Sequence, residues 1–298
     1  MRVLLTIPHV FAPKPGSLYS SQTEEKRNVK KAALLQATIG NLCRHSKTNW
    51  IHASLGKGQP VVTRASICSI GIDLTIQLFT PSNASLAESL PDHPGLQCID
   101  PQVASFSDVP SVASRRLLEQ SSDYDVVGYM EDDLLIEDPD FFHKIVHLVR
   151  EAGTSYAFLP HRCEHITEMG DVILSGDPDG GRPDLFWDTG ERLTLSWHGE
   201  QRSFYRATNP HSGCYFLTKM QAAHALEYWQ QREWQASFQL SGPLEQAGSG
   251  LLLPIFKVMK PIPEHYRCLM VRHQDELWKR HPFESVQNTD YSTRITMF

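Results

Sequence analysis

The sequence predicts a mixed α/β fold: a mostly parallel sheet flanked by helices, in a single compact domain. Three observations predict it. The chain opens on a short apolar run, Arg2 to Ile7, then a Pro-bearing loop, then an amphipathic run to about Arg44. Ile72 to Leu78 alternates apolar and polar residues as a half-buried strand does. A second apolar run, Val126 to Met130, is short enough for a strand buried on both faces, and a helical pattern follows it.

Each element has its own punctuation. Pro8, Pro13, Pro15 and Gly16 force a non-helical loop after the first strand. Ser21-Gln22-Thr23-Glu24 reads as a capping box, with Val29, Ala32, Leu35, Ile39 and Leu42 on one helical face. Residues 80–110, rich in Pro, Ser and Asp, read as an irregular connection, and Val112 to Gln120 as a short helix. After the second apolar run, Asp138 is the expected N-cap and Pro139 the first helical residue, with Phe141, Phe142, Ile145, Leu148 and Val149 as the buried stripe. Tyr156 to Leu159 and Ser212 to Leu217 read as strands. Thr218-Lys219-Met220-Gln221 is a capping box that opens a helix to about Arg232, and Gly242-Pro243 opens a short one. Ile255 to Lys260 and Tyr266 to Val271 are late strands. No GxGxxG is present, which removes support for a dinucleotide fold. The domain is expected to span 1–283, with a polar tail over 284–298.

Composition narrows the function classes. A net charge of −6 over 298 residues argues against nucleic acid as a partner, because phosphate binding needs a basic face. No stretch of about 18 apolar residues exists, so no transmembrane segment is expected. Pro8, His9 and the lack of a small-residue cleavage site argue against a signal peptide. The six cysteines are scattered without a CxxC, which fits reduced thiols in a cytoplasmic protein.

The most informative stretch is Asp123 to Asp140, DYDVVGYMEDDLLIEDPD. Three carboxylates, Glu131, Asp132 and Asp133, sit between a buried strand and Leu134-Leu135-Ile136. Charge in such a place needs a partner, and a divalent cation is the usual one. Acids at the carboxyl end of a parallel strand lie where open α/β sheets bind ligands. In an extended segment Glu131 and Asp133 would share a face and Asp132 would point away, so the trio could not all ligate one ion. The expected cofactor is Mn²⁺ or Mg²⁺, held against a nucleotide diphosphate.

This strand followed by EDD resembles the DxD-type signature of nucleotide-sugar glycosyltransferases of the GT-A fold. The resemblance extends in element order over about residues 1–275, and its specific part is this one motif. It implies a GT-A-like (Rossmann-like) fold, a nucleotide-sugar donor and a glycan or other hydroxyl acceptor. It implies Asp133 as direct metal ligand, with Asp132 or Glu131 facing the ribose or the donor sugar. It also implies that a C-terminal His, here His273 in VRHQDELW, completes the metal site or touches the diphosphate. The carboxyl end of the first strand, Pro8 and His9, would hold the nucleoside, with Phe11 or Tyr19 stacking on the base.

Further candidates complete the reading. An inverting transfer needs a carboxylate to take the acceptor proton, and Glu245, early in the short helix after Gly242-Pro243, is the candidate base; macrodipole stabilisation alone would equally place a Glu there. Asn209, His211 and Ser212 could bond sugar hydroxyls beside Gly213, where a sugar can approach the backbone. His143 and His147 have i,i+4 spacing but no third ligand, and read as a solvated face. His161 to His165 reads as a loop that could touch substrate. Trp197 and Tyr205 could platform a sugar, whereas Trp229 and Trp234 read as core. The function expected is metal-dependent, inverting sugar transfer. The alternatives are a sugar-nucleotide nucleotidyltransferase, disfavoured by the single Lys and Gly in VFAPKPGSLYSS, and an inactive nucleotide- or glycan-binding domain of the same fold.

Overall fold

The computed structural model describes residues 1–13, 24–46, 51–54, 61–64, 71–167, 170–174, 188–207, 212–232 and 242–274. In chain order the strands are β1 (Arg2–Pro8), β2 (Ile51–Ser54), β3 (Val61–Arg64), β4 (Asp73–Phe79), β5 (Leu96–Ile99), β6 (Val126–Met130), β7 (Leu134–Leu135) and β8 (Tyr156–Phe158). They continue as β9 (His161–Ile166), β10 (Gly170–Leu174), β11 (Asp188–Trp197), β12 (Glu200–Ala207), β13 (Cys214–Thr218), β14 (Lys257–Pro261) and β15 (Met270–His273). The helices are α1 (Glu24–Cys43), α2 (Val109–Glu119), α3 (Phe141–Ala152), α4 (Lys219–Gln230) and α5 (Pro243–Ala247).

The central sheet runs β13-β6-β1-β4-β5. β6, β1, β4 and β5 are mutually parallel, and β13 closes one edge antiparallel to β6. The period of two sorts the strand residues onto two helical layers. Val3, Leu5 and Ile7 of β1, with Val126 and Met130 of β6, pack with Leu35, Ile39 and Leu42 of α1 and with Phe141, Phe142 and Ile145 of α3. Leu4, Val127, Tyr129, Tyr215 and Leu217 face α2 and α4 through Ala113, Leu117, Ala222, Ala225 and Trp229. Gly128 makes the first layer possible, because a Cβ there would stand 2.5 Å from the Phe216 ring. That ring meets Phe141 and Phe142 edge-on.

The α3 stripe buries as its spacing predicts, and Gln221 of the α4 capping box accepts from the Thr218 amide. Four expectations need correction. The sheet is not the whole scaffold: two further four-stranded sheets, β10-β9-β15-β7 and β11-β12-β14-β8, are built mainly from residues 156–273 and mix parallel and antiparallel pairs. The helix after the acids starts at Phe141 rather than Pro139, because Asp138 accepts from the Asp140 amide and pairs with Lys144 in a preceding turn. Val29 is 68% exposed, since α1 meets the core only from Ala32 onward. Residues 161–166 form a strand, not a loop.

Other expectations, including the Ser21–Thr23 part of the first capping box, Tyr19 and the 284–298 tail, lie outside the described residues. Cys43, Cys98, Cys163, Cys214 and Cys268 are free thiols. Among the described residues no helix is long and apolar enough to cross a membrane.

Candidate active site

The parallel strands β1, β4, β5 and β6 all end at one edge of the central sheet, the edge at which ligands bind in open α/β sheets. The acid triplet sits there as a junction between two sheets. Met130 pairs with Cys214 of β13, whereas Leu134, four residues on, pairs with His273 of β15. The triplet is therefore a turn, and the carboxylates do not alternate as they would along an extended strand.

Each acid has its own basic partner, brought from a different part of the chain. Glu131 faces Arg162 of β9, 3.8 Å away, with both side chains largely buried. Asp132 Oδ2 lies 2.5 Å from Nδ1 of His9. Asp133 Oδ2 lies 3.5 Å from Nε2 of His273 and 3.8 Å from Nζ of Lys31 on α1. α1 and the turn that follows it also clamp the backbone on either side. Thr38 donates to the Asp132 carbonyl, Asn41 accepts from the Ile136 amide, and His45 bonds the Ile136 carbonyl. Gln274 donates to Thr38 and, through its amide, to the Asp133 carbonyl.

His273 is the hub. Its Nδ1 is 2.8 Å from Oε1 of Glu164, opposite the Nε2 that faces Asp133. Burial alone would lower its pKa, but the hydrogen bonds and charges of Asp133 and Glu164 outweigh that and raise it to about 9. Burial likewise works to raise the Asp133 carboxyl. His273, Lys31 and Arg162 together overcome it and hold the group well below the usual carboxylate range.

A further buried basic group lies near Arg162, Lys260 of β14. Burial depresses its ammonium to about 7, and it neighbours Cys214, Arg162 and Cys163. His161 is driven down to about 3 by burial and by Lys260, and it bonds the Pro261 carbonyl. Burial pushes the Cys163 thiol up to about 12.

The remaining sequence candidates fall out as follows. His9 is buried and uses both ring nitrogens inside the protein: Nε2 accepts from the Leu86 amide, so Nδ1 carries the hydrogen it gives Asp132. Pro8, beside it, is also buried. Glu131 is turned toward Arg162 and Gly213. Gly213 has φ of +72°, and a Cβ there would stand 2.8 Å from Glu131 Oε2, so glycine is required both by the backbone and by the carboxylate. Ser212 is fully buried and donates to the Pro160 carbonyl. Asn209 and His211 lie outside the described residues.

Glu245 folds its carboxylate back over Gly242, where a Cβ would meet its Oε2 at 2.6 Å. Its charge, with those of Glu131 and Asp132, bears on the phenol of Tyr129, whose pKa is raised first by burial and then by these carboxylates. Glu245 thus lies near enough to Tyr129 of β6 for its charge to act on the phenol. His147 is half-buried, bonds the Ser196 carbonyl and meets Trp197 edge-on.

Sequence reasoning missed Lys31, Arg162, Glu164 and Lys260. The stretch His161-Arg162-Cys163-Glu164-His165 did carry a signal, since charged residues at every second position mark one face of a strand.

Among the described residues no group of three or more His, Cys, Asp or Glu side chains is arranged to hold a metal. Asp133 and His273 are candidate ligands by residue type, and each already faces other charged groups: His273 lies between Asp133 and Glu164, and Asp133 also faces Lys31. Asp133 Oδ1 is buried with no hydrogen-bond partner among the described residues. Mg²⁺ and similar ions are commonly held by one or two protein groups, with water and phosphate oxygens supplying the rest.

No family model matches the sequence, and no curated protein matches it. Among solved structures the chain is similar to GalNAc-T7 with UDP, GalNAc and Mn²⁺, at 9% identity and a TM-score of 0.44. It covers 97% of this chain and 46% of that one, so the chain spans about half that protein's length. It is also similar to 4-diphosphocytidyl-2C-methyl-D-erythritol synthase from Anaerococcus prevotii, at 12% identity and a TM-score of 0.38 over 88% of this chain and 90% of that one. A third similar structure is the galactosyltransferase LgtC with donor and acceptor sugar analogues, at 10% identity and a TM-score of 0.38 over 92% of this chain and 87% of that one.

Proposed function

We propose that the chain is a metal-assisted glycosyltransferase that moves a sugar from a nucleotide-sugar donor to a hydroxyl acceptor with inversion. One observation carries the reading: Asp133 and His273, far apart in sequence, meet in a largely buried pair at the carboxyl end of β6. Asp133 and His273 would hold Mn²⁺ or Mg²⁺. When bound, the cation supplies neutralisation of the charge that develops on the departing diphosphate. Lys31, 3.8 Å from Asp133, would add positive charge for that diphosphate. Arg162 and His9 engage Glu131 and Asp132, and Asp133 is the acid of the three proposed to meet the metal. Glu245, whose charge acts on the Tyr129 phenol, is the proposed general base.

The test is a thermal-shift panel of UDP-, GDP-, CMP- and dTDP-sugars with and without Mn²⁺. A ligand at a hundred times its Kd stabilises the native state by about 2.7 kcal/mol. The expected result is a rise in Tm with one donor, only when Mn²⁺ is present, that is lost in Asp133→Asn. A panel with no metal-dependent rise sinks the proposal.

A further inference from the structure

The β11–β12 hairpin, the first turn of α3 and the 3-10 turn Pro263–Cys268 line a pocket of about 470 Å³. That volume lies within the range of about 300–1,000 Å³ usual for small-molecule sites. None of its lining residues is among those assigned above to donor, metal or base. The hairpin turns through His198 and Gly199, with φ of +50° and +81°, and Trp197 and Glu200 stand opposite each other in register. A two-residue turn with both central φ positive matches the twist of the paired strands, and so fixes where these two residues sit. Trp197 is half-buried, and the ammonium of Lys144 lies 5.7 Å from its ring centroid. The turn Pro263–Cys268 is tied to β12 by two bonds. The Ile262 amide donates to the Ser203 carbonyl, and the Ser203 amide donates to Nδ1 of His265. An Nδ1 that accepts leaves the ring hydrogen on Nε2, which is then a donor.

The lining is charged but balanced. Lys144 pairs with Asp138, Arg202 with Glu200 and Arg267 with Asp171, so each Lys and Arg of the lining already has an acid. Glu264, which is exposed, adds a further carboxylate. An anionic ligand would meet Glu200 and Glu264 with no spare cation to offset them. We propose that the pocket binds an uncharged pyranose, stacked on Trp197 and hydrogen-bonded to Glu264 and His265. A sugar hydroxyl both donates and accepts. The Glu264 carboxylate only accepts and His265 Nε2 only donates, so hydroxyls of one ring serve both. The C–H face of the ring is apolar and matches the broad apolar surface of the indole. The inference stands apart from the metal-assisted reading, because it needs neither a cation nor a nucleotide.

The test is saturation-transfer NMR on the full chain, in EDTA and without nucleotide. The probes are the methyl glycosides of glucose, galactose, mannose, N-acetylglucosamine and N-acetylgalactosamine, with methyl glucuronide as the charged comparator. At least one neutral probe should receive saturation, and the glucuronide should receive none. Titration of that neutral probe should give a Kd about tenfold or more weaker in Glu264→Ala, which loses a hydrogen bond to a charged acceptor, and in Trp197→Ala. Should Trp197→Ala fail to fold, Glu264, exposed in a turn, decides alone. Silence from all five neutral probes, binding of the glucuronide alone, or equal affinity in the unaltered protein and Glu264→Ala would each overturn the proposal. The chelator and the missing nucleotide keep every one of these results independent of the donor and metal assignments.

Discussion

Lys260→Met should make the protein more stable, by an amount that depends on pH. Lys260 is 3% exposed. Burial sets its folded pKa at about 7 against 10.5 for a free lysine, with Arg162 reinforcing the shift and the neighbouring thiols opposing it. Above pH 10.5 the amine is neutral in both folded and unfolded chains, and it imposes no penalty. As pH falls from 10.5 to about 7 the unfolded chain takes up a proton that the folded one refuses, so stability drops. Below about 7 the penalty is complete. At about 1.4 kcal/mol per pH unit, the span caps it at about 5 kcal/mol. Methionine roughly preserves the volume and removes the charge.

Urea unfolding of both proteins from pH 6 to 10 is the assay. The variant should lead by up to about 5 kcal/mol at pH 6, with the gap closing toward pH 10. The difference between the two proteins matters more than either curve. His273, with its pKa raised to about 9, contributes stability that is full below 6.5 and lost as pH rises through 9, so the two groups nearly cancel in the unaltered protein. A gap that stays constant across the range would refute the burial argument for Lys260.

Three further outcomes are expected. Asp133→Ala should keep its cooperative unfolding transition and lose Mn²⁺-dependent nucleotide binding in calorimetry; retained affinity would remove Asp133 from the metal. Glu245→Gln should keep donor affinity and the metal requirement while turnover falls by about 10²-fold or more, and near-normal turnover would rule it out as the base. Gly213→Ala should cost about 2–4 kcal/mol, from the left-handed backbone and from a Cβ forced against Glu131. Measured by urea unfolding, a loss under about 1 kcal/mol would show that the Glu131 side chain can step aside.

The parts of the fold that could be read from the sequence are those where one local rule dominates. The buried β6 run, the α3 stripe and the Thr218 capping box each follow from spacing and cap chemistry, and each stands where expected. The strands from β9 to β12 were out of reach because hydrophobic alternation fails there. In β9 the residues at one face are Arg162 and Glu164, which face charged partners rather than a core. Of the site, the triplet and His273 were visible as residue types, and the β7–β15 register joins them. Which acid meets which base was not visible. Those choices depend on a turn at Glu131–Asp133 and on pairings such as His9 with Asp132, 123 residues apart, that no local pattern encodes.

The pairing of each acid with a distant base has a consequence for assembly. In an unfolded chain the three carboxylates are neighbours and repel one another, and nothing nearby relieves them. The relief comes from His9, Lys31, Arg162 and His273, and closing loops of that length must be offset by other contacts before it is rewarded. The acid run is thus uncomfortable in any state but the finished one. A chain that has built its central sheet but not yet docked β9 and β15 holds concentrated negative charge at the rim where the ligand would sit. The ligand-binding end of the molecule therefore reports on completed topology: it is ready only when segments from both ends of the described chain have arrived.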